Sequence, residues 1–273
     1  MPAIVAVAQF APGPDKAENL ATIRRLGTEA VARGAGLVVF PEYSQFFDRE
    51  PGPSWPPMAE PLDGPFVTAL AALADELGAT IVAGLVERAD APDRVRNAVV
   101  AVAPGRGLVA SYRKLHLYDA FGGRESDWVE PGEITAPELF DWEDLRVGLQ
   151  TCYDIRFPEV TRRIVDAGAD LVLVPAEWVR GPLKEAHWRT LVTARALENT
   201  IYLAAADHTP PVGVGTSLIV DPMGVALAAL GEAPGVATAP VDPARIAESR
   251  RVNPALRLRR FAVVAPDVPP VGE

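Results

Sequence analysis

Cysteine is nearly absent from this 273-residue chain, which carries only Cys152. An internal disulfide is impossible, and zinc sites built from two to four thiolates are excluded. Histidine is scarce as well: His116, His187 and His208 are scattered, without the i, i+4 spacing of a helical metal site. No stretch approaches the roughly 18 consecutive apolar residues of a membrane span. Positive charge is in deficit, with 26 Lys plus Arg against 36 Asp plus Glu, a net charge of −10. Such a surface cannot displace counterions from phosphate, which disfavours a general nucleic-acid binder. Neither GxxxxGK[ST] nor GxGxxG follows the first strand, so phosphate-cradling loops have no sequence support. The apolar N-terminus, Ile4-Val5-Ala6-Val7-Ala8, lacks the basic flank of an export signal and reads as a buried strand. With no disulfides, the expected compartment is the cytoplasm.

What is present is ordinary globular composition, 49% hydrophobic and 23% charged, arranged as an internal duplication. Leu37-Val38-Val39-Phe40-Pro41 recurs as Leu171-Val172-Leu173-Val174-Pro175, each copy preceded by a helix ending in Gly-Ala. Val5-Ala6-Val7-Ala8-Gln9 is similar to Arg146-Val147-Gly148-Leu149-Gln150, and Thr80-Ile81-Val82-Ala83-Gly84 to Thr200-Ile201-Tyr202-Leu203-Ala204. A strand-turn-strand around Pro104-Gly105 has its counterpart around Asp221 to Gly224. Helices are expected over 17–33, 65–77, 158–167 and 184–199. Continuous apolar strands imply burial on both faces, so two such halves packed sheet on sheet give an α/β fold: a four-layer α-β-β-α sandwich with pseudo-twofold symmetry. The only join, 132–144, is too short for a flexible linker, so a single domain is expected over 1–273, with a C-terminal arm from about 245. Proline-rich stretches at 51–61 and 266–270 are read as a loop near the pocket after Glu42 and a terminal extension. Arg250, Arg251, Arg257, Arg259 and Arg260 are read as partners of a neighbouring acidic surface, with an arm reaching a partner subunit as another use.

Functional groups in such folds gather where the chain leaves the carboxyl ends of strands. Three exits carry suitable groups: Glu42 after Val38-Val39-Phe40, Lys114 after Ser111-Tyr112-Arg113, and Cys152 after Leu149-Gln150-Thr151. Together a carboxylate, an ammonium and a thiol suffice for acyl transfer. Glu42, desolvated at a dry strand end, can take the thiol proton. Lys114 and the backbone N–H of Tyr153 can face the developing oxyanion, and water opens the resulting thioester. Each residue also has a plain structural use: Cys152 as a small buried hydrophobe, Glu42 as a helix cap, Lys114 as a surface charge. A Cys152–His116 dyad is the rival mechanism.

These motifs resemble the nitrilase superfamily of carbon–nitrogen hydrolases. The resemblance rests on Phe40-Pro41-Glu42, Tyr112-Arg113-Lys114-Leu115-His116-Leu117 and Cys152-Tyr153-Asp154-Ile155-Arg156-Phe157-Pro158-Glu159, and extends from Ile4 to about Arg260. It implies a Glu42-Lys114-Cys152 triad, no cofactor and no metal, and a homodimer or higher homo-oligomer. The Tyr-Asp after the cysteine is similar to the Nit-type amidases, such as ω-amidases and deaminated-glutathione amidases, rather than true nitrilases, which carry Trp-Glu there. The implied reaction is hydrolysis of a small, carboxylate-bearing amide to acid and ammonia; a nitrilase or N-carbamoyl amino acid hydrolase is the alternative, and a non-catalytic scaffold a further one. Arg124-Glu125-Ser126 is similar to the branch's Glu-Ser pattern, which gives Glu125 the role of positioning substrate and lysine. The loop over 118–123 is shorter than in familiar Nit-type proteins, and Pro175-Ala176-Glu177-Trp178 departs from their usual segment. Tyr153, Arg156, Glu177 and Trp178 are the candidate substrate-binding residues. Arg156 offers two parallel donors to a substrate carboxylate, or else pairs with Asp154 or Glu159. Trp178 shapes an apolar wall, and Glu177 disfavours anionic substrates.

Overall fold

The structure, a computed structural model, describes residues 3–265. The first half runs β1 (Ala3–Gln9), α1 (Lys16–Ala32), β2 (Leu37–Val39), α2 (Pro65–Leu77), β3 (Thr80–Arg88), β4 (Val95–Ala103), β5 (Gly107–Arg113), the short β6 (Val129–Glu130) and β7 (Leu139–Trp142). The second runs β8 (Leu145–Leu149), α3 (Pro158–Asp166), β9 (Leu171–Ala176), α4 (Lys184–Asn199), β10 (Tyr202–Asp207), β11 (Leu218–Val220), β12 (Ala226–Ala229) and β13 (Gly235–Val241), followed by α5 (Pro243–Val252) and α6 (Ala255–Leu258).

Local chemistry sets these boundaries. Asp15 caps α1 by accepting from the backbone N–H groups of Ala17 and Glu18. Proline opens α2, α3 and α5, where its missing N–H costs nothing. Gly34 and Gly168 turn the chain at φ +89° and +110° to enter the paired strands β2 and β9. In α4, Trp188, Val192 and Ala196 recur every fourth residue and form the buried stripe against the second sheet.

The two sheets repeat one plan. The first has the order β13-β1-β2-β3-β4-β5, with β6 beside β4; the second has β7-β8-β9-β10-β11-β12. β1, β2 and β3 are parallel, as are β8, β9 and β10, and antiparallel strands flank each trio. The strand that ends each half crosses over: β7 pairs with β8, and β13 pairs with β1. Alternation then sorts the layers. Val5 and Val7 of β1 share the core between the sheets with Ala204 and Ala206 of β10, while Ala6 and Ala8 lie in the core formed with α1 and α2. The other face of the second sheet packs on α3 and α4. The expected α-β-β-α layering and the duplication are both present. β8, which leads to Cys152, is second from the sheet edge.

Of the basic cluster near the C-terminus, Arg250 pairs with Asp170 at 3.2 Å and Arg259 with Asp166 at 2.5 Å on neighbouring surface, while Arg251 pairs with Glu248 of its own helix at 2.7 Å. The stretch 266–270 lies outside the described residues.

Candidate active site

Glu42 leaves β2 through Phe40 and Pro41 and is fully buried. Gly84 of β3 makes that exit possible. A Cβ there would lie 2.3 Å from the Tyr43 nitrogen and 2.7 Å from the Glu42 backbone, so only glycine admits the approach. Tyr43 follows in the left-handed region, φ +54°. The Glu42 carbonyl accepts a hydrogen bond from His208 Nε2 at 2.6 Å, which fixes the main chain from the second half of the sequence. Burial lowers the His208 pKa to about 4, which makes it a neutral donor.

Lys114 follows β5 directly and is 2% exposed. Its Nζ donates to Glu42 Oε1 at 2.9 Å and to Glu125 at 2.8–3.0 Å. Asn97 of β4 binds the same two carboxylates from below, donating to Glu42 Oε1 at 2.6 Å and Glu125 Oε1 at 3.1 Å. Glu125 also accepts from the Tyr43 hydroxyl at 2.7 Å and the Tyr118 backbone N–H at 2.6 Å. Burial opposes the Lys114 charge, but Glu125 and Glu42 outweigh it and hold the lysine pKa well above its ordinary value. For Glu125 burial acts upward; the lysine and the donated hydrogen bonds overcome it, and the carboxyl lies below its ordinary range.

Cys152 begins a 3-10 turn, Cys152–Arg156, and sits at φ +45°. A non-glycine residue there is strained, as on the tight strand-to-helix turns that expose nucleophiles. Thr151 beside it donates to the Pro175 carbonyl at 2.8 Å, tying the β8 and β9 exits together. Cys152 Sγ lies 3.5 Å from the Glu177 carbonyl. Burial pushes the thiol well above its ordinary pKa and the Glu42 charge adds to this, so a base must remove the proton before attack. Asp154 fastens this turn to the Lys114 segment, accepting from the Tyr112 hydroxyl at 2.7 Å and from the N–H and ring Nδ1 of His116 at 2.9 and 2.8 Å. His116 stacks on Phe157 at 3.6 Å, so the Cys152–His116 dyad is not formed.

Cys152, Lys114, Glu125 and Glu177 line one cavity of about 590 Å³. Its walls include Pro51 and Trp55 of the proline-rich stretch and Tyr118, Phe121 and Gly123 of the short loop, as expected of both segments. Beside it Arg156 makes neither alternative ion pair, because Asp154 is taken by Tyr112 and His116. Its guanidinium instead stands 4.8 Å from the Trp178 ring centre and 5.9 Å from that of Tyr153. Lys184 shares this aromatic box, 4.1 Å from the Phe121 ring centre, and its Nζ donates to the Tyr118 hydroxyl at 2.9 Å. Trp178 is 2% exposed and packs on Trp188. Sequence reasoning missed Asn97, His208 and Lys184. The first two act on Glu42 across 55 and 166 residues, and no local pattern marks either. Among the described residues no group of three or more His, Cys, Asp or Glu is placed to hold a metal ion, and no helix is long and apolar enough to cross a membrane.

Two sheets flanked by helices, with a carboxylate, an ammonium and a thiol lining one cavity, place the chain in the α-β-β-α class, and comparison with known proteins gives its family. The chain belongs to the carbon-nitrogen hydrolase family, which it matches over residues 4–251, within the nitrilase superfamily. It is 39% identical over 259 residues to a deaminated glutathione amidase of Escherichia coli O157:H7, covering 95% of this chain and 98% of that one. The human deaminated glutathione amidase is 33% identical over 273 residues, 94% of this chain and 82% of that protein. The NitFhit protein of C. elegans superposes with a TM-score of 0.86 at 27% identity, covering 95% of this chain and 66% of that longer one. An amidase of Nesterenkonia sp. AN1, in a mutant form carrying the acetamide moiety of fluoroacetamide on its active-site cysteine, gives 0.77 at 28% identity, covering 94% and 97%. The enzyme is thus a carbon–nitrogen hydrolase of the amidase type.

Proposed function

We propose that Cys152 is the nucleophile, Glu42 the general base, Lys114 the oxyanion-stabilising cation and Glu125 the group that positions the lysine, in the hydrolysis of a small carboxylate-bearing amide. The observation that carries this reading is the buried Glu42–Lys114–Glu125 cluster opening on the same cavity as the chain's one thiol. Glu42 takes the Sγ proton as sulfur attacks the amide carbon. The new oxyanion faces Lys114 Nζ and the Tyr153 N–H. The C–N bond breaks as Glu42 returns the proton to the departing nitrogen, leaving a thioester. Water, deprotonated by Glu42, adds to the thioester; the acid is released and the thiol re-forms.

The substrate is of the kind named for the deaminated glutathione amidases, an amide whose acyl part bears a carboxylate. Support comes from Arg156, which has no acidic partner among the described residues and shares a box of Tyr118, Phe121, Tyr153 and Trp178 with Lys184. The test is hydrolysis of deaminated glutathione, succinamate and a nitrile with its matching amide, side by side. Cys152→Ala abolishes every activity, and Glu42→Gln leaves an acyl-enzyme that mass spectrometry traps. Near-wild-type turnover by Cys152→Ala ends the nucleophile assignment; a nitrile preferred to its amide ends the amidase reading.

We further propose one catalytic domain acting as a cytoplasmic homodimer. The absence of disulfides supports the compartment, and the exposed apolar side chains of Leu258, Phe261 and Val264 support a subunit contact. Light scattering that reads only the 29.1 kDa monomer rejects the dimer.

A further inference from the structure

The carboxyl of Glu177 has no counterpart in the triad. Its residue follows β9 as Glu42 follows β2, and its main chain is fully used: the N–H donates to Glu42 Oε2 at 2.6 Å and the carbonyl faces Cys152 Sγ at 3.5 Å. Its position is therefore fixed by the two reacting groups themselves. The side chain lines the cavity, and among the described residues it has no hydrogen-bond or ion-pair partner. Cations stand near, yet each is otherwise engaged: Lys114 is held between Glu42 and Glu125, and Lys184 donates to Tyr118. The neighbouring acids are Glu42, Glu125 and Asp207, with the Cys152 thiol and the Tyr43 and Tyr118 phenols as further titratable groups.

We propose that Glu177 is a specificity-determining residue whose carboxyl O–H donates a hydrogen bond to an oxygen carried by the substrate's acyl chain beside the scissile amide. This rests on the amidase reading and adds a substrate feature to it: an acceptor oxygen, such as a keto group, on the acyl side. The cluster already holds two carboxylates against the single Lys114 ammonium. A third ionised carboxylate would stand in this partly buried cavity without a partner, where an acid O–H needs none. Burial, and then the Glu42 charge, push the Glu177 carboxyl well above its ordinary range, against the pull of Lys114 and Lys184. A neutral acid also removes a conflict: an ionised Glu177 beside the Arg156–Lys184 box would repel the carboxylate which that box attracts.

The test uses ratios, so that titration of the triad cancels. kcat/KM is measured from pH 6 to 10 for acetoacetamide against butyramide and for 4-oxopentanamide against pentanamide, pairs that exchange a ketone for a methylene. Wild type prefers at least one ketone by roughly tenfold at neutral pH, about the value of one hydrogen bond. That preference falls as pH rises and Glu177 loses its proton. Glu177→Gln, which keeps a donor and cannot ionise, retains the preference at every pH; Glu177→Ala is flat near unity. Equal ratios in wild type and Glu177→Ala overturn the proposal, as does a Glu177→Gln enzyme that loses the preference at neutral pH. If neither these amides nor succinamate and deaminated glutathione are turned over, the amidase reading fails instead. The same ratios are then read from protection of Cys152 against iodoacetamide by each amide, with the same two outcomes deciding.

Discussion

The exits of β2 and β9 occupy matching places in the two halves, and they end in opposite electrostatic conditions. At the first, every oxygen of the Glu42 carboxylate is engaged: Oε1 by Lys114 and Asn97, Oε2 by the Glu177 N–H. At the second, Glu177 spends its backbone on Glu42 and Cys152 and leaves its carboxyl bare to the cavity. The duplication supplies both exits with a similar apolar strand and the same proline. What separates them is one lysine from β5 and one asparagine from β4, strands whose counterparts β12 and β11 bring neither residue. Duplicated scaffolds thus acquire chemistry through the edges where the copies differ, while the shared strands hold position.

The comparison breaks most severely at Lys114. Lys114→Met strands Glu42 and Glu125 as buried, unpaired carboxylates; stability should fall by about 3–5 kcal/mol and kcat by roughly a thousandfold, read by urea unfolding and steady-state kinetics. An active, stable Lys114→Met protein would show that the two exits are equivalent after all. The next effect is at His208, the strut from the second half to the Glu42 carbonyl. Its folded-state pKa is lowered to about 4 from 6.5, so its contribution is complete above pH 6.5 and is lost as pH falls through 4. The shift corresponds to about 3 kcal/mol. Urea midpoints of wild type should decline over that window, and those of His208→Asn should decline less. Asn97→Ala removes donors from two carboxylates at once and should cost about 1–3 kcal/mol and roughly tenfold in kcat/KM; an unchanged enzyme would make Lys114 alone responsible for the asymmetry. Far from both exits, Arg259→Ala opens a half-exposed pair with Asp166 and should shift stability by no more than about 0.5 kcal/mol.

The layers and the four main helices were legible because their signals are local. The two Leu-Val-rich strands ending in proline, the glycines that admit them and the prolines that open helices each act within a few residues. The Glu42, Lys114 and Cys152 positions were legible as strand exits, since strand ends are predictable wherever strands are. Asn97 and His208 were not, because their value lies in a partner that only the folded register brings near: Asn97 reads, with Arg96, as a polar start to an otherwise apolar strand. The Arg156 pairing was undecidable for the same reason, since Asp154 is withdrawn by Tyr112 and His116, two residues on another strand exit. The crossing of β7 and β13 left no trace either, as Gly235–Val241 carries no feature that says which sheet it will join.

That crossing has a consequence for how the chain is made. While a ribosome has delivered only the first half, β1 has no neighbour on its outer side and β7 has no sheet to enter. Both wait for segments well over a hundred residues further along for β1, and just beyond for β7. The first sheet can be sealed only after β13 emerges, when almost the entire chain exists. Such long-range closure is slow, and an open β1 edge meanwhile offers a template to other nascent copies. Shortening the chain ahead of β13 should therefore yield aggregates rather than a smaller enzyme.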